Sequence, residues 1–317
     1  MSTITSLWDS LAWPLVKLLG SLSVSLLVAN LIETLNWTRL LARFAAPLVR
    51  AGHMQDVVGA SFSMAFFSGM AANTMLAEAH AQGRLTDREL VLANLFNSLP
   101  TYFLHLPTML LVAAPFLGPA AALYVGLTLG AALLRTLCIV LAGRAVLSAP
   151  EPSCLECNLP DHGPTWREAL AKSWKRFKKR IAKICLITAP VYAGMVWLTS
   201  LGFFEAVERL MAQHLGGLSW FSPKAASIVV FGMMAEFTAG LAAAGALLTG
   251  GELPVKEVVL ALLLGNLLST PMRAFRHQFP YYAGIFRPAL ALKLIVHNQS
   301  LRAVSLVVVG AVYLALG

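Results

Sequence analysis

The sequence has 317 residues, of which 58% are hydrophobic and 12% are charged, and its formal net charge is +9. Soluble domains contain about 25% charged residues, so a water-soluble fold of this length would leave too much apolar surface in water. Several apolar stretches reach the ~20 residues that a helix needs to cross a bilayer. The composition therefore excludes an ordinary soluble domain and predicts an all-α polytopic membrane protein.

The basic residues are concentrated in one segment. Eight of the 24 Lys and Arg residues lie between Arg167 and Lys183, where Glu168 is the single acidic residue. A basic, Trp-containing segment that leads into an apolar helix is typical of the cytoplasmic flank of a membrane helix. Anionic lipid headgroups are the expected partner of residues 167–183. The positive charge therefore does not indicate nucleic-acid binding, and no Walker-type motif indicates nucleotide hydrolysis.

The first apolar stretch begins a repeated pattern. Trp13–Leu35 follows no basic run and precedes no small-residue cleavage site, so it is interpreted as a retained membrane helix and not as a signal peptide. The order of elements in the first half of the chain recurs in the second half at a nearly constant offset. This repetition predicts two tandem copies of one helical unit, 1–147 and 181–317, joined by a cytoplasmic basic linker at 148–180.

Each half opens with the same elements. An apolar helix, Trp13–Leu35 or Ile181–Leu201, precedes a short amphipathic helix at 38–48 or 204–215. These two short helices are too polar to span, so we expect them to lie at the membrane interface. A small-residue-rich apolar stretch follows in each half.

Two further features recur in both halves. Polar hairpins lie at Arg84–Glu89 and Gly251–Glu257, and the Gly, Leu and Glu residues around these turns coincide when the halves are aligned. The next helix of each half is interrupted by proline, at Asn97–Pro100 and Leu268–Pro271. Agreement in both the hairpin and the interruption favours a duplication.

The last stretch of each half carries one arginine deep in an apolar run, Arg135 or Arg302. Four crossings per half give about eight membrane helices, with both termini and the linker in the cytoplasm and the repeats parallel. If the interrupted helix is re-entrant, each half crosses an odd number of times and the repeats are inverted. The sequence leaves both arrangements open.

The two interrupted helices predict the position of a substrate site. Freed backbone groups are costly in hydrocarbon, so broken helices occur where they line an enclosed or hydrated cavity. Small polar residues near the breaks are therefore the candidate substrate-binding residues, although such residues also serve as close-packing surfaces. They are Ser68, Gly69, Asn73, Thr74, Asn97, Ser98, Pro100 and Thr101 in the first half, and Glu236, Thr238, Gly240, Asn266, Ser269, Thr270, Pro271 and Arg273 in the second.

Glu236 is the most specific of these candidates because it lies deep in an apolar run. A carboxylate at that depth costs about 3 kcal/mol unless it is paired or hydrated. It could bind a cation, carry a proton, or neutralise Arg135, Arg273 or Arg302, and a purely structural ion pair is the alternative. Arg135 and Arg302 are themselves candidates for substrate contact, with anchoring of neighbouring helices as the alternative.

The linker contains a candidate metal or redox site. Cys154 and Cys157 form a CxxC pair, followed by Asp161 and His162. Such a pair could hold zinc or iron, but a complete tetrahedral site would need Asp161 or a second chain. A reduced, solvent-exposed cysteine pair is the alternative in a cytoplasmic linker.

The residues described above resemble the nucleoside-recognition or Gate family, which includes the spore maturation proteins A and B and the Gate motifs of ferrous-iron transporters. The similarity covers nearly the whole chain outside 148–180, and its carriers are Phe67–Asn73, Arg84–Glu89, Asn97–Pro100 and Ala235–Phe237. The resemblance implies a fold of two Gate repeats. Iron transporters carry Cys where this chain has Gly69-Met70, and soft thiolate ligands suit transition metals. The absence of these cysteines weakens the case for iron, and the resemblance implies no other particular substrate.

Together these features favour a permease of the bacterial cytoplasmic (inner) membrane that moves a small polar solute or ion through a central broken-helix site, without a cofactor. No HExxH or GxSxG motif suggests an enzyme. The alternatives are a non-transporting scaffold or assembly partner and a divalent metal-ion permease of the ferrous-iron type. Expected partners are the lipid bilayer, the solute, and a second copy or a second membrane subunit. Methionine ligands for a metal permease would be Met64, Met70, Met75, Met233, Met234 and Met272, although methionine more often fills gaps between helices.

Overall fold

A computed structural model describes residues 45–66, 68–148, 165–202, 222–234, 237–274, 278–283 and 285–316, together with isolated positions between 8 and 27. Within these ranges every regular element is a helix. The expectation of an all-α protein is therefore confirmed for the described part of the chain.

Six helices are described in the first half of the chain, and they are numbered in chain order. The helices are α1 Ala45–Ala51, α2 Asp56–Ala65, α3 Gly69–Ala81, α4 Asp87–Phe96, α5 Ser98–Leu117 and α6 Ala120–Val146.

The described helices of the remaining chain begin with a long one that crosses the predicted boundary between linker and second repeat at residue 180. They are α7 Trp166–Ser200, α8 Pro223–Met234, α9 Phe237–Thr249, α10 Val255–Leu268, α11 Thr270–Arg273, α12 Phe279–Ala283 and α13 Pro288–Leu316. The basic cluster at 167–183 and the apolar stretch that follows it thus belong to one continuous helix.

Three helical stretches among the described residues are long and apolar enough to cross a membrane. They are Asp87–Leu117, Ala120–Val146 and Pro288–Leu316, of 31, 27 and 29 residues. At 1.5 Å per residue each is about 40 Å long or more, which exceeds a hydrocarbon core of about 30 Å. These stretches indicate a membrane protein.

The faces of α6 show how one of these helices lies in its surroundings. Leu133, Leu137 and Leu141 recur every four residues and are exposed, as expected of a face that meets lipid tails. Thr128 and Arg135 lie on the opposite, buried face. Arg135 therefore faces the protein interior, where a membrane-embedded arginine is tolerated.

Helix starts recur along the chain at a nearly constant spacing. The start of α2 at Asp56 corresponds to the start of α8 at Pro223, and the start of α3 at Gly69 corresponds to the start of α9 at Phe237. The pair α4 and α10 and the pair α6 and α13 keep the same spacing. Gly83 and Gly251, which precede α4 and α10, both have positive φ, at 72° and 68°. The superposition of the two halves stays a prediction.

Both predicted interruptions coincide with helix boundaries. Asn97 separates α4 from α5, and Ser269 separates α10 from α11. Pro100 and Pro271 each lie in the first turn of the following helix, where the missing N–H of proline removes no helical hydrogen bond.

Helices of the two halves pack closely in the core. A Cβ atom added at Gly245 of α9 would lie 2.9 Å from the carbonyl oxygen of Phe116 in α5, a separation that only glycine allows. α6 also packs against α13 and α10. The core is therefore shared by the two halves, and α5, α6 and α13 are the helices that position the cavity described next.

Several predictions fall on residues outside the described ranges. These are the amphipathic helix at 204–215, most of the helix at 38–48, the carboxylate Glu236, and the candidate metal ligands Cys154, Cys157 and His162.

Candidate functional site

A polar cavity of about 270 Å³ lies between helices of both halves. Helices α3, α4, α5 and α6 of the first half and α10, α12 and α13 of the second contribute side chains to it. Its lining residues are Gly69, Asn73, Asn94, Asn97, Ser98, Thr101, Tyr102, His105, Met109, Thr128, Ala131, Arg135, Asn266, Gln278, Tyr282, Asn298, Arg302 and Leu306.

The longest helices each present one face to the cavity. On α13 the lining residues are Asn298, Arg302 and Leu306, which are four residues apart. On α6 they include Thr128 and Arg135, seven residues apart. Residues four or seven apart share one face of a helix, so both interior arginines face the same cavity.

Asn266 joins two arginines on the second-half side of the site. Its side-chain oxygen Oδ1 accepts hydrogen bonds from the guanidinium groups of Arg273 at 2.7 Å and Arg302 at 2.8 Å. Its Nδ2 donates to the hydroxyl of Tyr124 at 3.2 Å, and Tyr124 is fully buried. Because the amide nitrogen is held by Tyr124, the amide oxygen is held towards both arginines.

Arg135 has a different environment. Its exposed fraction is 7%, and its Nε atom is buried without a hydrogen-bond partner among the described residues. No described carboxylate forms an ion pair with Arg135, Arg273 or Arg302. Buried charges are normally paired or hydrogen-bonded, so Arg135 is the least satisfied charged group of the cavity.

An asparagine network forms the first-half side of the cavity. Asn94 donates from Nδ2 to Oδ1 of Asn73 at 2.9 Å and to the hydroxyl of Tyr282 at 3.2 Å. Tyr282 belongs to α12, so this network links the two halves. Hydrogen bonds of this kind fix which way each amide points.

Next to this network, Asn97 lies at the boundary between α4 and α5. Its Nδ2 donates to Oγ of Ser61 at 2.6 Å, and Ser61 in turn donates to the carbonyl of Ala72 at 3.1 Å. Oδ1 of Asn97 and Oγ of Ser98 are buried without a partner among the described residues. The helix boundary thus presents unsatisfied polar atoms beside a cavity.

The structure brings together part of the predicted site. Of the candidates, Gly69, Asn73, Asn97, Ser98, Thr101, Arg135, Asn266 and Arg302 line the cavity.

The other described candidates lie outside the cavity lining. Ser68 caps α3 by accepting from the backbone N–H of Ala71 at 3.2 Å. The hydroxyl groups of Ser269 and Thr270 donate to the carbonyl of Asn266 at 3.1 and 3.0 Å. Thr74, Pro100, Thr238 and Gly240 lie on α3, α5 and α9, Pro271 lies on α11, and Arg273 reaches the site only through Asn266.

Several cavity residues were missed by sequence reasoning. Asn298 stands one helical turn before Arg302, a spacing that could have identified it. Tyr102 and His105 lie beyond the interruption on α5, where no small-residue pattern marks them. Gln278 and Tyr282 precede the last long helix of the chain and carry no local signal. Only the packing of α12 against α13 brings them to the site.

No group of three His, Cys, Asp or Glu side chains that could hold a metal ion occurs within the described part of the chain. The polar side chains that line the cavity are amides, hydroxyl groups, guanidinium groups and the imidazole of His105, and they include no carboxylate or thiolate.

The helices of the described residues, with three candidate membrane spans among them, indicate a helical membrane protein. Over most of its length, the sequence is similar to three proteins of Methanocaldococcus jannaschii. The uncharacterized protein MJ0871 is 26% identical over 302 residues, which cover 94% of this chain and 93% of that protein. The uncharacterized protein MJ0880 is 22% identical, covering 90% of this chain and 93% of that protein, and the uncharacterized protein MJ1556 is 22% identical, covering 84% and 83%. No family model and no solved structure matches the sequence.

Proposed function

We propose that the chain is a multi-pass membrane permease of the Gate type, which moves a small polar solute or ion through the central cavity. The observation that carries the proposal is the position of that cavity. It lies between α6 and α13, two helices long enough to cross a membrane, and it is lined by polar side chains from both halves. Polar groups at membrane depth are costly, so their concentration around one cavity favours a functional role.

Duplication also supports transport. Helix starts that recur at a nearly constant spacing agree with two copies of one unit. Many secondary transporters are built from two such copies, with the substrate site between them near interrupted helices. In this protein, too, the helix boundaries at Asn97 and Ser269 lie beside or near the cavity. We propose a transport role and no catalytic one.

Uptake by the purified protein in proteoliposomes tests this proposal, with cysteine substitutions as a probe of the cavity. In a background where the four native cysteines are replaced by alanine, Thr101→Cys places a thiol in the cavity. Modification with a bulky, membrane-impermeant thiol reagent is expected to abolish uptake.

Arg84→Cys is the matched control because Arg84 is exposed in the polar hairpin before α4 and does not line the cavity. The same treatment of this variant is expected to leave uptake unchanged. Absence of uptake for every solute, or undiminished uptake after complete modification of Thr101→Cys, would contradict a permease that uses this cavity.

One observation favours the scaffold alternative. An apolar groove of about 430 Å³ lies at the second interruption, between Leu268, Pro271 and Phe279 on one side and Leu292 and Val296 on the other. A groove of this kind suits an apolar helix of a partner membrane protein. Cross-linking from Val296→Cys in native membranes to a second polypeptide, together with absent uptake, would favour this alternative.

A further inference from the structure

The charge of the cavity is positive within the described residues. Arg135 and Arg302 line it, His105 adds an imidazole, and the other lining residues are neutral. None of the described carboxylates lines the cavity. These carboxylates are Asp56, Glu78, Asp87, Glu89, Glu168, Glu252 and Glu257.

The sequence extends this observation to four of the seven helices that line the cavity. Residues 90–150 and residues 258–317 contain no Asp or Glu at all. These two segments supply α5, α6, α12 and α13. Glu236 lies outside the described residues and could neutralise one guanidinium group, whereas Arg135, Arg273 and Arg302 are three. Most of the positive charge therefore has no acidic counterpart in this region of the protein.

The hydrogen bonds of the two lining arginines leave donors for a ligand. A guanidinium group has five N–H donors. Arg302 gives one hydrogen bond, to Oδ1 of Asn266, and Arg135 gives none to the described residues. Guanidinium groups bind carboxylates and phosphates through two parallel hydrogen bonds, which a neutral solute cannot match in strength.

A helix end adds to the positive potential. α3 begins at Gly69, which lines the cavity, and is 13 residues long. The first N–H groups of a helix have no helical partner and carry a partial positive charge, so they favour anions. The buried and unpartnered Nε of Arg135 is the independent observation that points to a ligand in the same place.

The size of the cavity limits the ligand. A volume of about 270 Å³ corresponds to about nine water molecules at ~30 Å³ each. That space suits a phosphate ion or a short carboxylate with part of its hydration. It is at or below the lower end of the volumes that hold drug-sized molecules, which favours a small ligand.

Resting on the permease function proposed above, we propose that the transported solute is a small oxyanion, held between Arg135 of the first half and Arg302 of the second. Each half supplies one arginine from its last long helix, at matching places in the repeated pattern. An anion between them offsets the repulsion between two like charges and satisfies donors that the protein leaves unpaired.

Binding measured on the purified protein tests the anion class without relying on transport. Isothermal titration in detergent with phosphate, sulfate, acetate, lactate, succinate and citrate is compared with titration by uridine, glycerol and potassium ions. At least one oxyanion is expected to bind saturably. Arg135→Gln and Arg302→Gln are each expected to weaken that binding about tenfold or more, since each removes a charge-assisted contact.

Arg144→Gln is the matched control because Arg144 is exposed in the last turn of α6, away from the cavity lining. The oxyanion binding constant of this variant is expected to equal that of the unaltered protein. Thermal unfolding of all three variants shows that they are folded, and removal of a buried unpaired charge is expected to leave Tm unchanged or raised.

The outcomes separate this inference from the proposed function. Uptake of a neutral solute or a cation, with no saturable binding of any oxyanion in the panel, would overturn the anion class and keep the permease. Saturable oxyanion binding that requires both arginines, in a protein that transports nothing, would keep the anion site and contradict the permease. Binding that neither arginine variant weakens would be surface binding and would overturn the proposed site.

Discussion

Arg302 donates a hydrogen bond to the side-chain oxygen of Asn266 at 2.8 Å. The same oxygen accepts from Arg273 at 2.7 Å. One neutral amide thus serves two guanidinium groups that have no described carboxylate partner. The amide keeps the arginines in place and leaves their positive charge intact, whereas a carboxylate would cancel it.

Replacing Asn266 with leucine is expected to destabilise the protein. The substitution removes the side-chain acceptor of both arginines. Arg273 keeps its hydrogen bond to the backbone carbonyl of residue 266, but the buried Arg302 loses its hydrogen bond, at a cost of about 2 kcal/mol or more. A lower Tm in thermal unfolding in detergent is the expected result. Asn298→Leu is the control, because Asn298 lines the same cavity. An equal loss of Tm in both variants would contradict a special role for Asn266.

Replacing Asn266 with aspartate is expected to separate stability from ligand binding. The side chain keeps its shape, and the new carboxylate pairs with both guanidinium groups, so Tm should stay the same or rise. Its negative charge should reduce the potential of the cavity and weaken oxyanion binding about tenfold or more. Titration and thermal unfolding on one preparation measure both effects. Oxyanion binding as tight as in the unaltered protein would argue against electrostatic recognition.

Gly245→Ala tests the close packing between the two halves. The added Cβ would lie 2.9 Å from the carbonyl oxygen of Phe116, and relieving this overlap is expected to cost about 1–3 kcal/mol. Gly126→Ala in α6 is the matched control, because a Cβ there meets nothing within 4 Å. The control should be neutral or stabilising by about 0.5–1 kcal/mol, the helix preference of alanine. Equal Tm values for the two variants would mean that α5 and α9 are not tightly packed.

Glu236→Gln tests the role of the carboxylate that lies deep in an apolar run of the second half. If Glu236 binds a cation or a proton, uptake should be lost while Tm is unchanged, since the two side chains have nearly the same shape. If it forms a structural ion pair, the variant should lose about 3–5 kcal/mol, and loss of the partner arginine should restore stability. Uptake and Tm that are both normal would remove Glu236 from the site.

Labelling of the native cysteines tests the topology. We expect Cys154 and Cys157 in the cytoplasm, because the adjacent segment 167–183 carries eight basic residues and one acidic residue. An impermeant thiol reagent added to intact cells should therefore leave both unmodified and should modify them after the cells are permeabilised. Modification in intact cells would reverse the orientation.

The sequence by itself determined that this is a helical membrane protein, and it determined the order of the helices and turns named below. Apolar length decides whether a helix can span a bilayer, and proline and glycine mark helix boundaries locally. These signals located the interruptions at Asn97 and Ser269 and the hairpins at Gly83 and Gly251 without any knowledge of the packing.

Only the tertiary structure decided which polar residues meet. In a membrane protein both the lipid-facing and the buried faces of a helix are apolar, so hydropathy does not reveal which way Tyr102 or Asn298 points. Residues distant in sequence, such as Asn94 and Tyr282, meet because α12 packs against α13, which in turn packs against α4 and α6. Long-range packing of this kind leaves no pattern in a single sequence. Arg135 and Arg302 could therefore be assigned to a central site from their depth in apolar runs, whereas Tyr282 could not.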